Sequence, residues 1–438
     1  MFLQGFVPKK AGIHAHSGLA RQTRRFLPFL GVLGCQAPGD GLATFHARVL
    51  SSPPTVIRVS WRSDEPTRGQ VSFAAEGEGS FVTPLESAPT TEHEALLLGM
   101  PAGVLVNFAV GDDAGFSASG TILTGHYPAS WPSWTVSGER TGGDFLVVGM
   151  FGNRDAVVIF DPLGRPVWWR EVRGGVVRAL PTLDGAGLLA GPGLTADFLW
   201  RLGWDGTRED RLPAPGFTHD FVQLDDGQVA YLAEVEHQGS AGPCTSDAIT
   251  VLGDTVPLWD TWDSFEAASE VCTAREDGTW THANALDHRD GNYFVGLRNE
   301  SSIYAIDDVT GLPEGVFRGA EQPSDAFLAQ HQFEVLDDGL LVFDNGTAER
   351  DSSRVMEYDL GGEGSLAARW SYEADPPLYA FVLGDVHRLD NGNTLVSWGS
   401  GGRLQELRPD GSTAWQLDAD LGTAFGYVTR MTSFYGGS

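Results

Sequence analysis

The chain has 438 residues, 42% hydrophobic and 20% charged, with 56 Gly, 24 Pro and 13 Trp. That is enough for two domains with real cores, and the lack of long helical patterns points to an all-β chain of many short strands. A net charge of −29 argues against nucleic acid or an anionic membrane surface as a general partner, and with Lys9 and Lys10 as the only lysines, Schiff-base, P-loop and lysine-base chemistry are excluded beyond them.

Residues 1–35 read as a leader. Lys9, Lys10, Arg21, Arg24 and Arg25 precede the apolar run Phe26–Gly34, and no acidic residue interrupts them. A basic n-region, an apolar h-region and a small residue at the cut site make a secretory signal. Val32-Leu-Gly-Cys35 resembles the bacterial lipobox, which implies lipidation at Cys35; an ordinary buried cysteine is the alternative. Removing the leader changes the charge from 29 − 58 = −29 to 24 − 58 = −34. The expected product is an exported, periplasmic or cell-surface lipoprotein of a bacterium, touching the membrane only through its N-terminal lipid. In an oxidising compartment Cys244 and Cys272 could close a loop worth about 3 kcal/mol, or they could stay as two buried thiols.

Residues 36–125 read as a small β-sandwich. Alternating runs such as Val56–Trp61 and Gln70–Phe73 are broken by Gly, Pro, Ser and Asp turns. The stretch His93–Val110 resembles the later strands of fibronectin type III-like domains, and no chemistry is legible in this domain. Residues 126–140, with Pro128, Trp131, Pro132 and Trp134, read as a linker.

From 141 to 438 the chain repeats. Aligned on a turn glycine, Val177–Gly185, His219–Gly227, His331–Gly339 and Gly384–Gly392 share one frame, and His282–Gly291 fits with one extra residue. Each turn leads into a β-rich run, and a second hairpin often follows. Two hairpins make a four-stranded sheet, and repeats of this length predict a six-bladed β-propeller. The unit around 144–172 lacks an inner strand, which the C-terminal run Gly426–Phe434 is placed to supply. A two-sheet sandwich with long hairpins is the alternative.

His219, His282 and His331 occupy one slot in three successive blades. If the first strand of each blade lines the central channel, the three converge at one rim. Antiparallel pairing brings Arg298 back beside His282, and Asn284 shares the face of His282. His387 is three positions out of the slot and is left out of the cluster; His237 and His288 read as surface or packing residues. Three imidazoles could merely satisfy backbone groups at a channel mouth. They could hold zinc, which a neighbouring Arg disfavours. With Arg298 they could form an oxyanion site, in which a neutral imidazole attacks and the other groups donate to the transferring oxygens.

The motifs Thr218-His-Asp-Phe221, Thr281-His-Ala-Asn284 with Asp290–Arg298, and Gln330-His-Gln-Phe333 with Leu341–Gly346 resemble the bacterial aryl-sulfate sulfotransferase family over about 140–435. Gly384–Gly399 is also similar, although a His at 387 is unusual there. The resemblance implies a six-bladed propeller behind an N-terminal β-domain. It implies ping-pong transfer of a sulfuryl group from an aryl sulfate to a phenolic acceptor, with no nucleotide donor, cofactor or metal. His331 is then the nucleophile, transiently sulfated; His282, Asn284 and Arg298 hold the sulfuryl oxygens, and His219 serves as acid and base. Aromatic groups are expected at the mouth, and the long segment 238–280 is expected to reshape it. Arg298 must locally reverse the strongly negative field. A propeller that only binds an anionic aromatic ligand is the second reading, and a His-ligated zinc hydrolase the third.

Overall fold

The computed structural model describes residues 45–435 except 116, 194, 241, 266–267, 269–279, 319–323 and 362–364. The leader, Cys35 and Cys272 lie outside the described residues. The regular structure of the described residues is almost all strand. Its helical turns are Thr261–Ser264, Arg298–Glu300 and Gly399–Gly401.

A sandwich comes first. Strands His46–Val49, Ile57–Thr67 and Thr90–Leu97 form one sheet, and Ser80–Val82, Gly69–Ala75, Leu105–Asp112 and Ser117–Leu123 form the other. Alternation builds its core: Val71 and Phe73 point inward from one strand, and Val106, Phe108 and Val110 from its neighbour.

Beyond residue 140 the chain is a β-propeller. The strands Ala283–Arg289, Asn292–Leu297, Ser302–Asp307 and Pro313–Arg318 are one four-stranded sheet in chain order, and Phe333–Val335 opens another. A seven-stranded sheet arises because Glu209–Gln223 is long. Its first part pairs with Ala196–Gly203, and after a register shift its last part pairs with Val229–Gln238. One strand thus closes one pair of hairpins and opens the next. The innermost strands Val176–Pro181, Glu209–Gln223, Ala283–Arg289, Phe333–Val335, Asp385–Arg388 and Gly422–Met431 pack each against the next, and the last packs back on the first.

That closure uses the C-terminus. Gly422–Met431 runs antiparallel to Phe145–Gly152 as the fourth strand of the sheet whose own segment lacks one. The stretch 126–140, expected as a linker, instead contributes a strand. Trp134–Gly138 pairs with Thr413–Ala419 as a fifth, outer strand. Its Trp and Pro content suggested a spacer, but Trp131 and Trp134 pack with Tyr127 against the buried Trp169.

Inner propeller strands are covered on both faces, which explains unbroken apolar runs such as Phe145–Phe151 where alternation would otherwise appear. Trp168, Trp169, Trp398 and Trp415 are fully buried between sheets, and burial of a large apolar side chain stabilises by roughly 1.5–3 kcal/mol. The sandwich is fixed to the propeller by Tyr435, whose hydroxyl donates to the Leu96 carbonyl and accepts from the Leu98 amide, both at 2.9 Å.

Candidate active site

The three histidines do not sit on regular strand. His219 lies in the register shift between Phe217 and Phe221, and His282 directly precedes its strand. Both have positive φ, 52° and 53°, a left-handed conformation that side chains other than Gly, Asn, Asp and His seldom adopt. His331 stands two residues before the strand Phe333–Val335, and there the left-handed residue is Ala329, φ 49°. The slot is therefore a bend at the strand's start, which re-aims the side chain away from the pleat.

The bends bring the rings together. His219 and His282 have centroids 4.8 Å apart at 59°. The Arg298 amide donates to the His282 carbonyl at 3.1 Å, so the backbone returns as the antiparallel pairing requires. Burial first, then the charge of His282 and Arg298, pushes His219 down to about 3. Burial, then Arg298 and His331, does the same to His282. Burial and Arg298 hold His331 at about 3 against the opposing hydrogen bond from Asn345. Three mutually coupled imidazoles around one guanidinium are all neutral at pH 7.

Asn345 fixes the tautomer of His331. Its Nδ2 donates to the carbonyls of Ala380 and Leu383, both at 2.8 Å, so its Oδ1 is the acceptor facing His331 Nδ1 at 2.8 Å. Nδ1 therefore carries the proton, and the lone pair is on Nε2. Asn284 is completely buried, and its Nδ2 donates to the Gln330 carbonyl at 2.8 Å. It braces the chain at His331 rather than standing open at the rim. Its Oδ1 has no hydrogen-bond partner among the described residues.

Asp247 clamps the other side. It accepts from Thr281 Oγ1 and from the amides of His282 and Ala283. Burial, opposed by those bonds and aided by Glu234, raises its carboxyl to about 6. The slot after His331 is filled differently. Gly384 has φ 121°, and a Cβ there would meet the Phe343 ring at 2.2 Å, so no imidazole fits.

One residue past the slot lies a layer that the sequence reading missed. Asp220 accepts from the Leu286 amide at 2.8 Å, from Gln332 Nε2 at 2.6 Å and from Arg178. Asp385 accepts from the Val428 amide at 2.7 Å and lies 3.2 Å from His387 Nε2. These carboxylates tie adjacent inner strands together. The repeated Asp after the slot, at 220 and 385, was the available signal; Asp247, far upstream in the long segment, offered none. His387 belongs to this layer, with Nε2 also 2.9 Å from the Val428 carbonyl. Burial opposes its charge, but Asp385 and Glu334 outweigh burial and raise it to about 8. His237 stacks on Trp262, and His288 contacts Asp308. Cys244 is disulfide-bonded.

The depressed histidines have a consequence for acid stability. The unfolded chain, with histidines near 6.5, binds more protons between pH 6.5 and 3 than the folded one. Their contribution is fully present above pH 6.5 and is lost as pH falls toward 3. Arg298→Gln should raise all three values, which narrows this window and makes the acid loss smaller. Histidine NMR titrations and acid unfolding of both proteins check this.

The arylsulfotransferase (ASST) family model matches residues 260–420, which supports the arylsulfotransferase family. The match holds His282, Asn284, Arg298, His331 and Asn345, while His219 lies outside it. No curated protein matches the chain. Among solved structures, a Bacteroides caccae protein of unknown function is 17% identical, covering 67% of this chain and 100% of its own, with a TM-score of 0.45. TolB from Acinetobacter baumannii is 11% identical over 77% of this chain and 81% of its own, TM-score 0.40. A streptogramin B lyase is 11% identical over 69% and 100%, TM-score 0.39. Likenesses of that depth carry nothing about function.

Proposed function

We propose that this protein is an aryl-sulfate sulfotransferase on a six-bladed propeller, acting by ping-pong transfer through a sulfated His331. The family match supports a sulfotransferase, and the hydrogen bond from His331 Nδ1 to Asn345 carries the mechanism. A neutral imidazole with its Nε2 lone pair free is the required nucleophile, and burial keeps it unprotonated. Nε2 attacks the sulfur of an aryl sulfate, the S–O bond to the ring breaks, and the phenolate leaves. An acceptor phenol then takes the sulfuryl group from His331.

Arg298 supplies the positive charge that meets the sulfuryl oxygens. A neutral His219 is a poor acid in the free protein, but a bound sulfate ester places negative charge beside it and raises its pKa toward the working range. His219 then protonates the leaving phenolate and later deprotonates the acceptor. Asn284 serves as a brace for His331 rather than as an oxygen ligand. Phe381, 59% exposed, sits on the segment whose Ala380 and Leu383 carbonyls Asn345 holds, and it supplies an aromatic ring at the mouth. A zinc hydrolase is disfavoured because the Arg298 charge would oppose a dication among the same three imidazoles.

The test is steady-state release of nitrophenol from nitrophenyl sulfate. Release that accelerates on adding a second phenol supports transfer; release indifferent to acceptors and abolished by chelator would favour the zinc reading. Asn345→Asp places a carboxylate against Nδ1, raising the His331 pKa. Its pH–rate profile should show an acid limb near neutrality, where the parent protein stays flat.

The proposal includes export with Cys35 as the lipidated residue, and the disulfide at Cys244 supports an oxidising compartment. Cys35→Ser should move the protein from the membrane to the soluble fraction; an unchanged membrane fraction would contradict the anchor.

A further inference from the structure

The sandwich holds a second constellation of reactive groups, which its sequence did not reveal. His93 Nδ1 is 2.6 Å from Glu86 Oε2, and His93 Nε2 is 3.0 Å from Ser63 Oγ. A hydroxyl, an imidazole and a carboxylate in series, each within hydrogen-bond reach of the next, are the parts of an activated serine nucleophile. We propose that Ser63, His93 and Glu86 form a hydrolytic site for carboxylic esters, separate from the histidine cluster of the propeller.

The surroundings hold the imidazole in one pose. Trp61 stacks on it at 4.8 Å and 9°. The Gly69 amide donates to Glu86 Oε2 at 2.9 Å, and a Cβ at Gly69 would strike the Trp61 ring at 2.2 Å, so only glycine lets that strand pass under the stack. With Glu86 accepting from Nδ1, the Nε2 lone pair faces two hydroxyls, Ser63 at 3.0 Å and Thr67 at 3.3 Å. Ser63 is half-buried and lies in the register shift between Arg62 and Thr67, a bulge that turns its side chain toward His93. Its hydroxyl also reaches the Glu65 carbonyl at 2.7 Å, so a rotation about the Cβ–Oγ bond switches its proton between that carbonyl and Nε2. The Thr67 hydroxyl closes the cluster, 3.3 Å from Ser63 Oγ and 3.3 Å from His93 Nε2.

A concavity of about 590 Å³ lies beside the cluster, lined by Trp61, Arg62, Glu92, His93, Glu94 and His46; Ser63 is not in its wall but directly follows Arg62, which is. Arg62 is already paired with Glu92. The carboxylates repel anions, so the substrate class is an uncharged or cationic ester, unlike the sulfate monoesters of the propeller site.

In the reaction, Ser63 Oγ bonds to the carbonyl carbon while His93 Nε2 takes the hydroxyl proton. The ester C–O bond breaks, and the alkoxide leaves with that proton. Water, deprotonated by His93, then releases the carboxylic acid and restores Ser63. Glu86 is a positioning residue that accepts from Nδ1 throughout.

The test treats the full-length protein with a fluorophosphonate probe and maps the adduct by peptide mass. One adduct at Ser63 is expected, absent in Ser63→Ala at an unchanged thermal midpoint and undiminished in His331→Ala. Glu86→Gln should slow labelling by up to about four orders of magnitude, and Glu86→Asp, which keeps the acceptor for Nδ1, should recover part of that loss. No adduct at saturating probe, or equal labelling of Ser63→Ala, would overturn the proposal. Neither result touches the propeller site, since His331→Ala separates the two.

Discussion

His331→Ala is expected to lower sulfuryl-transfer turnover by about four orders of magnitude, the scale on which loss of a covalent nucleophile acts. No neighbour can replace it. His219 and His282 are equally neutral, and the Thr218 hydroxyl lies 2.6 Å from His219 Nδ1, but only His331 faces an amide oxygen, that of Asn345, which puts its proton on Nδ1 and its lone pair on Nε2. The variant should still fold. The ring is only 2% exposed, and its removal leaves the Asn345 Oδ1 without its donor, a cost of about 1–3 kcal/mol. His219→Ala should cost only about a hundredfold, because it removes proton transfer and leaves the covalent step. Steady-state rates on nitrophenyl sulfate with a phenol, beside thermal midpoints, separate chemistry from folding. A His331→Ala protein that keeps turnover within tenfold would place the nucleophile elsewhere. One that loses only ligand affinity, from a parent without turnover, would favour the binding-module reading.

Arg178→Met should produce the largest loss of stability, about 3–5 kcal/mol. Arg178 is 8% exposed, and its guanidinium meets the buried Asp220 and stacks 5.0 Å from the Tyr427 ring. Burial works against both charges. For Asp220, burial raises the carboxyl, with Arg178, the Leu286 amide and Gln332 pulling it back. Removing Arg178 strands a carboxylate that ties three inner strands together, through its own backbone, Leu286 and Gln332. Asp220→Asn in the same chain should recover part of the loss, giving a coupling of about 2 kcal/mol in a double-mutant cycle. Urea unfolding midpoints measure both. A loss below about 1 kcal/mol would show that the amide donors alone suffice for Asp220.

Much of the propeller was legible because its repeat is written in hairpin turns. The glycines at 227, 291, 339 and 392 mark successive inner hairpins, and the missing inner strand near 144–172 pointed to the C-terminus, where Gly422–Met431 supplies it. The linker was misread because Trp and Pro suggest a spacer, whereas Trp134–Gly138 finds an open sheet edge. The slot alignment brought His219, His282 and His331 together on the right side of the chain, but not their backbone. Left-handed residues at 219 and 282 leave no mark in hydrophobic periodicity.

The supporting residues were harder to read, since their partners come from other blades. Asn345 sits in a quoted motif, yet its function depends on the carbonyls of Ala380 and Leu383. Asp247 holds the His282 backbone from a strand outside the repeat frame. His387 was rightly kept out of the imidazole cluster by its offset, but only the neighbouring Asp385 and Glu334 explain why it is charged. The Ser63, His93 and Glu86 contacts join residues from across a sandwich whose sequence carries no motif.

The central claim is a covalent sulfohistidine, and intact mass after mixing the protein with an aryl sulfate and no acceptor tests it most directly. The expected result is a gain of one SO₃ group that maps to His331, is absent in His331→Ala and is discharged by a phenol. An unchanged mass across several aryl sulfates, with no phenol released, would contradict it.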